Sequence, residues 1–310
     1  MVSYKEAGVD IHAEDVAIKS ILSTLKTKLS GHFSGIIEFG DYYLSMCTDG
    51  VGSKILVAEH LKKYDTVGID MVAMNVNDVI CIGATPLAMV DYLAIDKVEK
   101  EKVEEIMKGV AEGVRQAGVS VSSGETATLP EVVNGFDLAG TCLGAVEKEN
   151  LITGEAIKEG DVLVGLESSG IHSNGLTLAR KVLDLDEWGE ELLTPTRIYV
   201  KEILTTFPFA HGLSHITGGG LRKIKRVLPG LGAEINNPFK PQKVFDAIAE
   251  NGEVEINEMY RTFNMGMGFV VICDESDAKE VISNLDSKAK VVGHVVKGDK
   301  ITIPSKGVGI

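Results

Sequence analysis

Apolar positions recur at helical spacing in some stretches of this chain and alternate with polar ones in others, and the two rhythms interleave from end to end. Val16, Ile18, Ile21, Leu22 and Leu25 predict a helix near the start. Phe33 to Phe39 and Tyr42 to Cys47 read as strands joined by Gly40-Asp41, a hairpin signal. Met71, Met74, Val79 and Ile82 mark a second helix, and Leu87 to Ile95 a strand. A long amphipathic helix follows on Val103, Ile106, Met107, Val110, Val114 and Ala117, stopped by Gly118. Val119 to Val121 predicts a short strand that runs into a loop at Ser122–Ala127, and Phe136 to Val146 a longer strand.

Residues 147–159 are polar and turn-rich, which places a domain boundary near 150 and divides the chain into 1–150 and 151–310. The second half predicts strands at Asp161–Leu166, Phe269–Cys273 and Val291–Val296. Its helices are expected from the 168–175 loop to Leu183, from Pro195 onward, over Leu221–Leu228 and over Ser276–Leu285. Strands and helices mix in both halves, so the class is α/β or α+β.

Composition narrows the function classes. A formal net charge of −14 with no basic run argues against nucleic acid as a partner. No apolar run is long enough to span a membrane, and the N-terminus has no apolar signal core. Cys47, Cys81, Cys142 and Cys273 show no C-x-x-C pairing, which fits a reducing cytoplasm. Thirty-four glycines against eight prolines suggest tight turns and close backbone–ligand approaches rather than linker.

The sharpest chemistry lies between Thr48 and Pro86. Asp70 and Asn77 sit one heptad apart on an otherwise apolar helix, with Asp78 beside Asn77. Burying such carboxylates costs several kcal/mol, on the order of what an unpaired charge costs, so a cation is expected to compensate them. Mg2+ needs only one or two carboxylates plus nucleotide phosphates. Asp49, Asp70 and Asp78 could supply the carboxylates, Gly50 and Gly52 a close backbone approach, and Lys54 a point charge on phosphate. A plainer account has Asp49-Gly50 as a turn, Asp70 as a cap and Asp78 facing water.

Further stretches carry chemistry. Glu125 and Thr126 are expected just past a strand end, where open sheets bind ligands, or as a cap on the next turn. Ser168 to Gly175 is a hydroxyl-rich strand-to-helix junction in which Ser173 and Asn174 could hold a phosphate or simply cap the helix. His172 could move a proton there or be an ordinary hydrogen-bonded loop residue. Thr217-Gly218-Gly219-Gly220 lets backbone approach an anion closely. Glu258 to Gly268 reads chiefly as core, and Lys5 as either a mobile arm or a solvated tail.

Thr48-Asp49-Gly50-Val51-Gly52-Ser53-Lys54, with Asp78-x4-Gly83-Ala84-x-Pro86, resembles the signature of the aminoimidazole ribonucleotide synthetase superfamily of ATP-dependent enzymes. Matching blocks run in order from Ser3–Ile11 to Glu258–Asn264. Ser123 stands where relatives carry the first glycine of Gly-Gly-Glu-Thr-Ala, and Ile171 where they carry proline in Gly-Pro-His-Ser-Asn-Gly. The resemblance implies a two-domain fold whose N-terminal domain, 1–150, binds ATP and Mg2+ and dimerises through a β-barrel. The C-terminal mixed α/β domain, 151–310, would then bind substrate.

It also implies ATP-dependent cyclisation of formylglycinamidine ribonucleotide to aminoimidazole ribonucleotide through an iminophosphate, in a cytoplasmic homodimer. On that reading Asp49, Asp70, Asp78 and Glu125 hold Mg2+. Gly50, Gly52, Lys54, Asn77 and Thr126 join them around the nucleotide. Ser173, Asn174, Thr217, Gly218, Gly219 and Gly220 hold the ribonucleotide, and His172, Asp78 and Lys54 act in catalysis. A thiamine-monophosphate kinase-like enzyme and a non-catalytic nucleotide-binding module are the alternatives.

Overall fold

The structure is a computed structural model that describes Gly8, residues 11–25 and residues 32–310. Lys5 and the 3–7 portion of the N-terminal block lie outside the described residues.

Helix α1 (Ile11–Leu25) comes first, and Val16, Ile18 and Ile21 on it are exposed rather than packed into a core. The hairpin β1 (Gly35–Phe39) and β2 (Tyr42–Gly50) turns at Gly40-Asp41 as its sequence predicts. A 3-10 turn over Gly52–Lys54 leads into α2 (Ile55–Leu61) and then α3 (Val67–Ile80). Next come β3 (Thr85–Ile95) and α4 (Lys100–Ala117), which ends on Gly118 in the left-handed conformation. β4 (Ser120–Thr128) and β5 (Phe136–Glu147) complete a five-stranded sheet of order β1-β2-β5-β3-β4.

Even-numbered residues of β5, Phe136 through Val146, face α3 and are buried. Gly140 and Gly144 leave room there for Met71 and Val79, since a Cβ on either would sit 2.3 and 2.5 Å from their side chains. Odd-numbered residues face outward with Ile37, Phe39, Tyr42, Met46, Val90 and Tyr92, all exposed. The sheet is open within this chain, and no closed barrel forms among its described residues.

The second sheet lies wholly after residue 160. It comprises β6 (Val162–Glu167), β7 (Ala210–His215), β8 (Leu231–Glu234), β9 (Met267–Cys273), β10 (Ala289–Lys297), β11 (Ile301–Ile303) and β12 (Val308–Gly309). Its order is β12-β11-β8-β10-β6-β9-β7, with the wholly buried β9 near one end. Around it run α5 (Leu176–Val182), α6 (Leu185–Leu192), α7 (Val200–Leu204), α8 (Lys243–Gly252), α9 (Ile256–Thr262) and α10 (Ala278–Ser283).

Three expectations change. Ser120–Thr128 is one continuous strand, so Gly124, Glu125 and Thr126 lie inside it; parallel pairing with β3 holds an edge whose polar residues carry no strand pattern of their own. Pro195–Tyr199 is irregular rather than helical, because its backbone is engaged by the first half of the chain. The expected helix after Gly220 is a 3-10 turn over Gly220–Arg226.

Candidate active site

One face of α3 presents Asp70, Met74, Asn77 and Asp78, the i, i+4, i+7, i+8 pattern of a single stripe. That stripe meets the C-terminal half along its whole length. Asp70 Oδ1 accepts from Lys54 Nζ at 2.9 Å, Ser173 Oγ at 2.9 Å, and the backbone N–H and hydroxyl of Thr196 at 2.7 and 2.6 Å. Lys54 also donates to the Thr194 carbonyl at 2.6 Å. Both side chains of the pair are fully buried. The cation that the sequence demanded for Asp70 is therefore Lys54, and in this structure neither group faces an open site where metal or phosphate would enter.

Asn77 is likewise buried. Its amide donates to the Arg197 carbonyl at 2.9 Å and its Oδ1 accepts from Tyr199 N–H at 3.0 Å. Asp78 differs, keeping 13% of its side chain exposed while Oδ1 lies 2.8 Å from His215 Nδ1. Asn75, on the side of α3 toward the first sheet, donates to the Asp49 carbonyl at 3.1 Å and so ties the end of β2 to the helix.

Asp49 stands at that strand end with Oδ1 accepting from Gly50 N–H at 2.7 Å. Burial, then the neighbouring Asp78, raise its carboxyl above the usual range, while Gly50 N–H, His215 and Lys223 oppose the shift. A carboxyl raised by burial and by a second carboxylate marks a site that gains from a cation. This suits a magnesium ion that arrives with nucleotide phosphates, which needs no more than two protein carboxylates. No group of three or more His, Cys, Asp or Glu is gathered as a metal cage among the described residues. The expected four-acid set of Asp49, Asp70, Asp78 and Glu125 is thus not assembled: Asp78 is near enough to raise the Asp49 carboxyl, Asp70 gives Oδ1 to Lys54, Ser173 and Thr196 while its buried Oδ2 has no partner among the described residues, and Glu125 lies on the outer face.

Strand register explains the last point. Asp49, Gly140, Asp91 and Gly124 lie in one row across the sheet. Gly124 has no side chain because a Cβ there would fall 2.3 Å from Asp91 Oδ1. Glu125 is one residue further on, opposite Tyr92, so its side chain leaves by the outer face. Its Oε1 accepts from Thr126 N–H at 2.9 Å.

The two loops of the C-terminal half converge above Met74. The Asn174 amide reaches Met74 Sδ at 4.0 Å, one turn from Asp78, and a Cβ on Gly218 would sit 2.9 Å from Asn174 Oδ1. Gly175 and Gly220 have positive φ and rest on α9 and the residue after it. A Cβ on Gly175 would lie 2.1 Å from the Phe263 ring, and one on Gly220 2.3 Å from the Tyr260 carbonyl. Asn264 Oδ1 accepts from Ser168 Oγ at 3.0 Å, and its amide donates to the Gly170 carbonyl at 2.9 Å. The Glu258–Asn264 block therefore braces both loops from below.

His172 is enclosed, with φ of 62° and Nε2 accepting from Ser169 N–H at 3.2 Å. Its Nδ1 has no hydrogen-bond partner among the described residues. Burial, then the charges of His215, Lys54 and Arg197, hold its imidazole neutral, well below the usual range. It packs beside Tyr199 rather than against the acids.

Sequence reasoning missed Thr196, His215, Lys223 and Asp91. His215 sits on β7, and Lys223 within the stretch Leu221–Leu228 that the sequence predicts only as a helix. The one signal for His215 is that it opens the His-x-Thr-Gly-Gly-Gly block; nothing local marks Lys223.

The AIR synthase related protein N-terminal domain family matches residues 31–146, and the C-terminal domain family matches 158–306. A phosphoribosylformylglycinamidine cyclo-ligase of Methanocaldococcus jannaschii is 51% identical, covering 96% of this chain and 93% of that protein. One from Methanococcoides burtonii is 46% identical over 96% of this chain and 95% of the relative. Thiamine monophosphate kinase of Aquifex aeolicus superposes with a TM-score of 0.69 at 16% identity, over 95% of this chain and 97% of that one. T. maritima PurL complexed with ATP gives 0.62 at 16%, over 87% and 43%; likeness this remote speaks for the fold alone. The chain belongs to the AIR synthase related family, in its phosphoribosylformylglycinamidine cyclo-ligase branch.

Proposed function

We propose that the chain closes the imidazole ring of aminoimidazole ribonucleotide from formylglycinamidine ribonucleotide, using ATP. The observation that carries this reading is the Asp49–Asp78 carboxylate pair of one half, set beside the glycine loop Thr217–Gly220 and Lys223 of the other. In the reaction the formyl oxygen takes the γ-phosphoryl group of ATP and gives an iminophosphate. The neighbouring amidine nitrogen then attacks that carbon. The C–N bond forms as the C–O bond breaks, phosphate leaves with the formyl oxygen, and the nitrogen releases a proton. Chemistry of this kind needs chiefly positioning and charge neutralisation.

Asp49 and Asp78 are assigned to hold Mg2+, with His215 fixing the Asp78 carboxylate. The ion would neutralise charge on the phosphates it accompanies. Gly50 and Gly52 border the same strand end. Ser173, Asn174 and Thr217–Gly220 are assigned to the ribonucleotide. Lys54, Asp70 and Asn77 serve this arrangement by fastening the halves together: Asp70 holds the hydroxyl of Ser173, next to Asn174. His172 is assigned to shape the 168–175 loop, its proton chemistry requiring a change that opens its enclosure.

Residues 1–150 are assigned to nucleotide binding and dimerisation and 151–310 to substrate. The apolar outer face of the first sheet supports a homodimer, since exposed apolar patches of this kind mark contact surfaces. Glu125 and Thr126 are on the strand that edges this face, so a role at the nucleotide would be exercised at the seam between protomers. Among the described residues no helix is long and apolar enough to cross a membrane. A biosynthetic role on nucleotides supports a cytoplasmic location.

The test is purified protein with Mg-ATP and formylglycinamidine ribonucleotide, measuring imidazole product and ADP together. Equal amounts of both are expected. ATP binding with no product would sink the assignment, and ADP formed only in a parallel tube of thiamine monophosphate would replace it with a kinase.

A further inference from the structure

The run Arg222-Lys223-Ile224-Lys225-Arg226 follows directly on the glycine loop, and the fold divides it. Ile224 is fully buried, Lys225 points to solvent, and the Arg226 guanidinium lies 5.3 Å from the Phe33 ring centroid of the first half. Lys223 is partly buried. Its Cε and the Arg222 guanidinium each stand 3.7 Å from where a Cβ on Gly219 would be, so they flank the exposed backbone of the loop. The carboxylates acting on it are Asp78 and Asp49, yet no described residue takes a hydrogen bond or ion pair from its ammonium. Burial, with help from Arg226 and Arg222, brings its pKa down to about 8 against the pull of Asp78 and Asp49. A partly buried cation beside the Gly219 backbone, with its donors unspent among the described residues, is stabilised by an incoming anion.

We propose that Lys223 is a ligand-binding residue that takes a phosphate oxyanion in the gap between the Gly218–Gly220 backbone and the Asp49–Asp78 pair. The proposal rests on the nucleotide-handling role assigned above and adds a residue to it. The terminal phosphates of ATP are the favoured source, because a magnesium ion on Asp49 and Asp78 would bring them within reach. The 5′-phosphate of the ribonucleotide offers the same chemistry, and the experiment separates the two.

Dissociation constants are measured by calorimetry for a non-hydrolysable ATP analogue with Mg2+ and for formylglycinamidine ribonucleotide. The proteins are the wild type, Lys223→Met, Lys223→Gln, Lys223→Arg and Lys225→Met. Lys223→Met and Lys223→Gln should weaken at least one ligand about tenfold or more, the scale of one lost charge-assisted bond, and the ligand affected identifies the source. Lys223→Arg should recover most of that loss, and Lys225→Met should bind within about twofold of wild type. Folded Lys223 variants that bind both ligands as tightly as wild type overturn the proposal, as does a wild type that binds neither. A wild type that binds both but forms no imidazole refutes the reaction and leaves the Lys223 site to the binding measurements.

Discussion

Lys54 and Asp70 meet at 2.9 Å with both side chains fully enclosed, and the same carboxylate oxygen also takes three donors from Ser173 and Thr196. Removing either charge strands the other out of water. Asp70→Asn and Lys54→Met should each destabilise the fold by about 3–5 kcal/mol in urea unfolding. The double variant Lys54→Met with Asp70→Leu should cost less than the two single changes combined, because no orphan charge remains. Additive losses would show that the pair is not coupled.

Asp49 sets stability against function. Its carboxyl is raised by burial and by Asp78, so the charged form is disfavoured in the fold. That cost is fully present at neutral pH and disappears once pH falls below the carboxyl's range in the unfolded chain. Asp49→Asn should therefore raise the unfolding midpoint at pH 7 by a few degrees, a gain of ~1 kcal/mol. The gain should vanish in acid, and Mg-ATP binding should be lost. A midpoint that falls at pH 7 would contradict the repulsion.

Asp78→Asn keeps the shape that faces His215 but removes the charge. Turnover should drop by about 10³-fold or more, the scale of a lost phosphoryl-transfer charge clamp, with little change in melting temperature. Normal activity would remove Asp78 from the site.

The glycines near the site separate by what surrounds them. Gly220→Ala drives a Cβ to within 2.3 Å of the Tyr260 backbone at a positive φ, and should destabilise by roughly 2–3 kcal/mol or more. Gly218→Ala meets only the end of the Asn174 side chain at 2.9 Å, and should mainly raise KM for the ribonucleotide. Thermal melts and steady-state kinetics on the two variants check this directly.

The outer face of the first sheet, proposed above as the homodimer contact, gives a fifth test. A lysine in place of Tyr92 or Val90, both exposed there, should shift the mass seen by light scattering from dimer toward monomer. An unchanged mass would place the contact elsewhere.

Much of this layout was legible in the chain. The heptad of Asp70 and Asn77 correctly flagged α3 as the helix carrying charge inward, and the strand and hairpin signals of the first half fell where the strands form. The identity of each partner was not legible. Asp70 finds Lys54 16 residues away and Thr196 at 126, and Asp78 finds His215 at 137. Local spacing holds no record of such meetings. The start of β4 was legible at Val119–Val121, but its continuation through Ser122–Thr128 escaped because that stretch carries no alternating pattern and takes its form from β3 alone. Helix α6 did leave a signal in Leu185, Trp188 and Leu192 behind the capping Asp184, whose side chain accepts from Asp186 N–H.

A carboxylate that rivets the two halves from both sides leaves them no freedom to swing apart. Opening that joint would strip Asp70 of its Ser173 and Thr196 donors and Lys54 of the Thr194 carbonyl, leaving the ion pair alone to face water. Asp78, which still touches water, then marks the side from which ligands would reach the acids without that joint parting. Such a joint favours an anvil over a jaw.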